Sequence, residues 1–337
     1  MDSVANAHKA AESYLGSGKK CDIEEVGLST INKTYIVKPL PHKECWFVLQ
    51  RMHSIFTPEL MQDIERITTF LGKKGMETPR VLRTLDGKMC VEWEKEWWRA
   101  LSYIPGHTIQ TVNDATNLES VGSLVGTFHK TLMEYNEPFA FTLPHFHDTE
   151  HYMKRMVDVV TTSPHNKDFK DDMEFILAEY KKIAFDFSSL PKRVIHADLK
   201  ISNIRFDDSG VAQSLIDLDT LMSHHVAVDL GDGLRSWCAL GNEDTEDLAF
   251  SLERYEKACK GYLETATFLT PEEKASLPKG MLLITLELAS RFITDACEQN
   301  YFLLQKEKYE NLYEQNKTKA RNQLSLYRSM MAEGISA

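Results

Sequence analysis

At 337 residues the chain exceeds the ~100–200 residues of a usual single core, so two domains or lobes are the default. An apolar fraction of 42% beside 26% charged residues is that of an ordinary globular protein. The formal charge of −11 argues against a nucleic-acid binder, and no stretch approaches the ~20 apolar residues that cross a bilayer.

Met1–Tyr14 is polar and alanine-rich, without the apolar segment of a signal peptide, so a cytoplasmic location is expected. After a short N-terminal helix, Asp22–Leu28 and Lys33–Val37 read as strands around the polar bend Ser29–Asn32, and Trp46–Arg51 as a third. From Pro58 to about Leu71, apolar residues Leu60, Met61, Ile64, Ile67, Phe70 and Leu71 recur at helical spacing. Strands are expected again near Arg80–Leu85, Lys88–Trp93 and Trp97–Tyr103, before Pro105-Gly106 breaks the pattern. Helices follow at Leu118–Met133, His151–Val160 and Asp172–Phe185. A small β island lies between Arg193 and about Leu221, and helices at about Thr245–Thr265 and Pro271–Gln305 close the chain. The six cysteines are scattered without a C-x-x-C pair, which favours free thiols over a zinc site or disulfides.

The β island carries the chemistry. Its loop reads His196-Ala197-Asp198-Leu199-Lys200-Ile201-Ser202-Asn203, and a hairpin, Asn203–Phe206 with Val211–Ile216, leads to Asp217-Leu218-Asp219. This fits the kinase catalytic loop H-x-D-L-x-x-x-N followed by a metal-binding Asp. Phosphoryl transfer needs a carboxylate beside the attacking hydroxyl and oxygen ligands that hold Mg²⁺ against ATP. Asp198 is the candidate base, Asn203 and Asp217 the candidate Mg²⁺ ligands, and Lys200 the cation for the transferring phosphoryl group. Asp219 is either a second metal contact or an acid capping a turn. Ala197 stands where protein kinases carry an arginine that reads a phosphorylated activation loop. Asp229 follows Asp217 by only twelve positions, with no A-P-E triplet after it, so a small-molecule acceptor is expected.

The loop, the Ile216–Asp219 strand end and Asp229-Leu230-Gly231-Asp232 resemble the aminoglycoside phosphotransferase and choline kinase superfamily. Ile31–Tyr35, Phe47–Met52, His145–Thr149, Ile216–Thr220, Arg291-Phe292 and Tyr301-Phe302 extend the resemblance, within it, to bacterial N-acetylhexosamine 1-kinases. The resemblance implies an α+β, bilobal protein-kinase-like fold, with a β-rich N-lobe over residues 1–103 and a larger helical C-lobe over 104–337. It implies transfer of the ATP γ-phosphate to the anomeric hydroxyl of an amino sugar such as N-acetylglucosamine or N-acetylgalactosamine. Asp198, Arg291 and Tyr301 match sugar-contacting positions. Backbone groups of Ser102 and Ile104 take the adenine-hinge role, and the Gly27–Thr34 bend, with Asn32, covers the phosphates. Asp229 matches a position that holds the catalytic loop's backbone.

One position departs from that pattern. Where the superfamily offers a third-strand lysine to the phosphates, paired with a helix acid, this chain has Gln50 beside Arg51. Alternation sends those two side chains to opposite faces, so Arg51 cannot substitute. Either Gln50 donates to phosphate as a neutral group, or Mg²⁺ and Lys200 meet the charge, or catalysis is weakened. Mg²⁺ with Lys200 is the favoured solution, since the catalytic loop is intact, and it leaves Glu65, the candidate helix acid, without its partner. Rival readings are a choline, homoserine or aminoglycoside kinase, or a non-catalytic pseudokinase. An arginine at the acceptor position speaks against a cationic acceptor. His145, His147 and His151 suggest a metal cluster at first sight, but only His147 and His151 share a helical face, and no E-x-x-H context accompanies them.

Overall fold

A computed structural model describes residues 3–26, 31–41, 46–113, 115–183, 187–242, 244–245 and 247–336. The Gly27–Thr34 bend, the Asp22–Leu28 strand end, the Asp172–Phe185 helix end and Cys45 therefore lie wholly or partly outside the described residues. The chain has the bilobal, mixed α and β fold expected from its element order. It divides into two compact units.

The first unit holds α1 (Ser3–Leu15), β1 (Cys21–Val26), β2 (Lys33–Pro39), β3 (Phe47–Arg51), α2 (Leu60–Lys73), β4 (Val81–Leu82), β5 (Cys90–Trp93) and β6 (Glu96–Ser102). The strands form one antiparallel sheet, β1-β2-β3-β6-β4, with β5 also on β6. Period-two alternation sorts its faces. Tyr35, Val37, Phe47, Leu49, Trp98 and Ala100 turn to one side and pack on Ala7, Ala10 and Ala11, whose small side chains let α1 lie close. Trp98 stacks on Tyr35 at 5.9 Å and is core. The other side receives Gln50 and Arg99, which face each other in register across β3 and β6.

The first unit also takes in Tyr135–Leu143 and Ser214–Leu221, where a single cut after residue 103 was expected. The Asp63 carboxylate of α2 explains part of this, since it accepts the amides of Ala140 and Phe141 at 2.9 Å.

The second unit contains α3 (Leu118–Leu132), α4 (Thr149–Thr162), α5 (Asn166–Lys182), β7 (Arg193–Ile195) and β8 (Ile204–Phe206). β9 (Ala212–Leu215) pairs with β8 and passes from the second unit into the first. Then follow β10 (Met222–His224), which pairs with β7, and α6 (Val226–Trp237), α7 (Leu252–Thr265), α8 (Pro271–Glu298) and α9 (Leu312–Ala332). The spine is α8, buried along most of its length. Its start is capped reciprocally: Thr270 accepts from the Glu273 amide, and Glu273 accepts from the Thr270 amide. The same Glu273 carboxylate takes Arg193 at 2.7 and 2.9 Å, which ties β7 to α8.

The helix expected to reach Gln305 ends at Glu298, with Gln299 left-handed at φ 54°, and α9 starts anew behind the Asn311 cap. Neither α9 nor α6 is expected from the sequence pattern. Their buried residues explain why. The helix α9 buries Gln315, Asn316, Asn322 and Gln323, which breaks its apolar period. The helix α6 is buried on nearly every side, with two glycines and Asp229, Asp232 and Arg235 among the buried residues, so it reads as a polar, glycine-containing turn.

Glycine is required where α6 crosses α8. A Cβ on Gly280 would stand 2.0 Å from the Ala227 carbonyl oxygen, and one on Gly231 would stand 2.5 Å from the Gly280 carbonyl carbon. Gly280→Ala is expected to cost about 1–3 kcal/mol, read as a lower midpoint in denaturant unfolding with an unchanged slope.

Candidate active site

The candidate loop lies between β7 and β8, and its backbone is held almost residue by residue. Asp229, on α6, accepts the amides of His196 at 2.9 Å and Ala197 at 2.7 Å. Its role as backbone anchor is thus as expected. His129 Nε2 meets the same carboxylate at 2.8 Å, and His129 Nδ1 meets the Tyr262 hydroxyl at 2.9 Å. Burial opposes the charge on Asp229, but His129 and the loop amides outweigh it and keep the carboxyl below its ordinary range. His196 Nδ1 accepts from the Asp198 amide at 3.2 Å, the Trp237 indole donates to the Leu199 carbonyl at 2.7 Å, and Ser236 accepts from the Ile201 amide at 3.2 Å.

This frame holds Ala197 at φ 66°, a left-handed conformation that a non-glycine residue keeps only when its surroundings enforce it. The Asp198 carboxylate then receives two donors on one oxygen: Lys200 Nζ at 2.7 Å and Asn203 Nδ2 at 2.8 Å, both on Oδ2. Burial resists its charge, yet Lys200 foremost and Asn203 hold it below the usual carboxylate range. Asp198 is therefore ionised at neutral pH and able to accept a hydroxyl proton.

A second network of the same unit starts from α8. Arg291 donates from Nη2 to the Tyr301 hydroxyl at 3.1 Å, and its guanidinium lies over the rings of Tyr152, Phe146 and Tyr301 at 5.0, 5.4 and 5.5 Å. The two residues expected at the acceptor are thus brought together. Tyr301 is placed by Asp295, which accepts the amides of Asn300, Tyr301 and Phe302 at 2.7–3.0 Å. One turn before Arg291, Glu287 meets His147 Nδ1 at 3.1 Å and the Thr149 hydroxyl at 2.6 Å, and His147 Nε2 meets the Ala197 carbonyl at 2.8 Å. A chain of contacts therefore runs from Arg291 to the residue before Asp198. His145 stacks instead on His151 at 4.0 Å. Among the described residues, no group of three His, Cys, Asp or Glu side chains gathers as a metal site.

The first unit carries the remaining candidates. Gln50, expected as a neutral phosphate donor, is engaged at both ends: Nε2 donates to Thr34 Oγ1 at 3.0 Å, and Oε1 accepts Arg99 Nε at 2.9 Å and Nη2 at 2.7 Å. Arg99 then meets Asp219 at 2.5 Å, both side chains being at most 3% exposed. Asp219 is thus neither a simple turn cap nor an open metal ligand but the counter-ion of Arg99. It also accepts Asn32 Nδ2 at 2.6 Å, and Asn32 Oδ1 accepts the His53 amide, so the amide expected at the phosphates is buried in structural bonds. Arg51 turns to the other face and pairs with Glu96 at 2.8 Å, as alternation required. Glu65 pairs with Arg83 at 2.6 Å. Ser102 donates its amide to the Arg80 carbonyl at 2.8 Å, so that amide is not available to an adenine. Ile104 is buried just past β6. Sequence reasoning misses Arg99 because its neighbour Gln50 lies 49 residues away and only strand register joins them.

Asn203 and Asp217 offer an amide and a carboxylate oxygen, the donor types that suit Mg²⁺, which takes one or two protein ligands and completes its shell with phosphate and water. The Nδ2 of Asn203 is bound to Asp198, which leaves the amide oxygen for a cation. Asp217 adopts φ 64° and ψ 62° at the start of the turn Leu218–Thr220, again a constrained left-handed residue.

Known proteins resemble the chain in sequence and, among solved structures, in fold. The homoserine kinase of Zymomonas mobilis is 22% identical over 269 residues, 78% of each chain. The solved amicoumacin kinase in complex with AMP-PNP, Ca²⁺ and Ami superposes with a TM-score of 0.66 at 16% identity, covering 95% of this chain and 94% of that one. The choline kinase of Cryptosporidium parvum gives 0.64 at 11% identity, covering 99% and 98%. The phosphotransferase enzyme family matches residues 22–262, from β1 through the loop of Asp198 and Asn203 to α7, and the chain belongs to that family.

Proposed function

We propose that this small-molecule phosphotransferase moves the γ-phosphate of ATP, with Mg²⁺, to the anomeric hydroxyl of an N-acetylhexosamine in the cytoplasm. The observation that carries phosphoryl transfer is the convergence of Lys200 and Asn203 on Oδ2 of Asp198. Oδ1 is assigned to the acceptor hydroxyl. Asp198 takes its proton as the oxygen bonds to the γ-phosphorus and the bond to the β,γ-bridging oxygen breaks, releasing ADP. Lys200 meets the charge on the transferring group. Bound Mg²⁺ would neutralise phosphate charge, held by Asn203 and Asp217. The charge of the absent third-strand lysine is assigned to Arg99, steadied by Gln50 and balanced by Asp219. Ser102, through its carbonyl, and Ile104 are assigned to the adenine.

The sugar reading is supported by Arg291, whose charge repels a quaternary ammonium, and by the Tyr301 hydroxyl it holds, which with the guanidinium suits the hydroxyls of a neutral acceptor. Homoserine is the second reading, favoured by the Zymomonas relative and by the carboxylate that Arg291 could bind. ATP and Mg²⁺ with N-acetylglucosamine, N-acetylgalactosamine, simple hexoses, choline and homoserine form the test, read by ADP release and phosphorus NMR. A sugar 1-phosphate from the N-acetylhexosamines is expected. Turnover of homoserine alone would select the second reading, and turnover of nothing would sink both.

A further inference from the structure

We infer that His147 is a buried imidazolium that positions the catalytic loop, joining the Ala197 carbonyl to Glu287 on the acceptor side. The inference rests on the phosphotransferase reading of the loop but goes beyond it. Both ring nitrogens face oxygen acceptors. Nε2 stands 2.8 Å from the Ala197 carbonyl, which cannot donate, and Nδ1 stands 3.1 Å from a Glu287 oxygen. A neutral imidazole has one N–H and one lone pair, so either neutral tautomer would aim a lone pair at an acceptor. Two protonated nitrogens satisfy both contacts. The other arrangement with the same proton count, a neutral ring beside a protonated Glu287, is disfavoured by the rest of the network. Glu287 already accepts the Thr149 hydroxyl and has the Arg291 guanidinium 3.9 Å away, both of which favour its carboxylate form.

The charged and titratable groups facing the ring agree. From α8 come Glu287 and Arg291, from α6 Asp232, and from β10 His224. Burial alone would discharge His147, but Glu287, then Asp232 and the Ala197 carbonyl, raise it above its ordinary value. His224 is pushed down to about 4, by burial first and by His225 and His147 beyond that, and stays neutral. Glu287 is held low despite its burial, chiefly by His147.

The consequence falls on Ala197. Asp229 holds its amide and His147 holds its carbonyl, and together they keep the left-handed backbone that turns Asp198. When the ring loses a proton, either the buried carbonyl loses its donor or a lone pair is set against Glu287. The sign follows from the raised value. The imidazolium's support is complete below the ordinary histidine pKa of about 6.5 and is lost as pH rises through the higher folded value. An alkaline limb in kcat is therefore expected above the usual histidine range.

The direct test is ring-nitrogen NMR of the full chain with ¹⁵N-labelled histidine, the His147 signals assigned by their loss in His147→Gln. At neutral pH both of its nitrogens should carry protons, and Glu287→Gln should bring its titration down into the ordinary range. A neutral-tautomer pattern at neutral pH would overturn the inference, and this arm needs no substrate, so it is independent of the choice of sugar. With ATP, Mg²⁺ and N-acetylglucosamine, His147→Gln should lower kcat by about 100-fold, change KM for ATP little and remove the alkaline limb. An unchanged alkaline limb in that variant would equally overturn it. Should His147→Gln fail to fold, the Glu287→Gln spectrum supplies the assignment by the titration that falls from above the ordinary histidine range, which His224 at about 4 cannot imitate, and a histidine set in which none falls from there overturns the inference.

Discussion

Asparagine in place of Asp198 is expected to lower kcat by about 10²–10⁴-fold with little change in KM for ATP. The size follows from the bonds at Oδ2, where Lys200 and Asn203 both donate. An asparagine must turn its single oxygen toward those two donors to avoid facing them with its own amide. The NH₂ group then occupies the position assigned to Oδ1, offering donors where the acceptor hydroxyl needs a proton acceptor. Lys200 also loses its counter-ion, but its side chain is 37% exposed and water replaces much of that interaction, so the fold should survive. Steady-state kinetics beside a melting curve checks both halves. A kcat within a few-fold of the parent would remove Asp198 from the role of base. Asp198→Glu retains the carboxylate but pushes it outward by one methylene, and it should recover only part of the loss.

What can be read from the sequence divides along a physical line. The loop from His196 to Asn203, the hairpin after it and the anchoring role of Asp229 are encoded over short spans, where residue types and spacing carry the geometry. The strand alternation that sends Arg51 away from Gln50 is equally local. Arg99 and His147 have partners elsewhere in the chain: Asp219 for one, Ala197 and Glu287 for the other. Register and helix packing decide those pairings, and a single sequence does not display them. Among its sequence neighbours His147 poses a metal question, whereas its chemistry is set by a carboxylate 140 residues away. The helices α6 and α9 are hidden for a related reason, since α9 buries amides that blur its apolar period and α6 buries glycines and charged residues that read from sequence as a turn. Asn32 and Gln50 match positions expected near phosphate, yet both amides are bound into the Arg99 and Asp219 network.

That network leads to the second large effect. Arg99→Met should destabilise the protein by about 3–5 kcal/mol, because it leaves Asp219 a buried charge without its cation. It also leaves Gln50 Oε1 without its two donors. Arg99→Lys should rescue little, since an ammonium cannot reach two Gln50 bonds and Asp219 with one planar fork. Stability alone would not separate a structural pair from a phosphate cation, so the decisive variant is the double one. Replacing Arg99 by Met and Asp219 by Leu removes both charges and should recover much of the lost stability, as apolar replacements of buried pairs often do. If Arg99 meets nucleotide charge, this refolded double variant still binds ATP more weakly and turns over slowly. Denaturant unfolding of the four members of the cycle, with KM for ATP and kcat on each, yields the coupling of the pair and its chemical role together. A double variant as stable and as active as the parent would confine Arg99 to structure and return the phosphate charge to Lys200 and the metal.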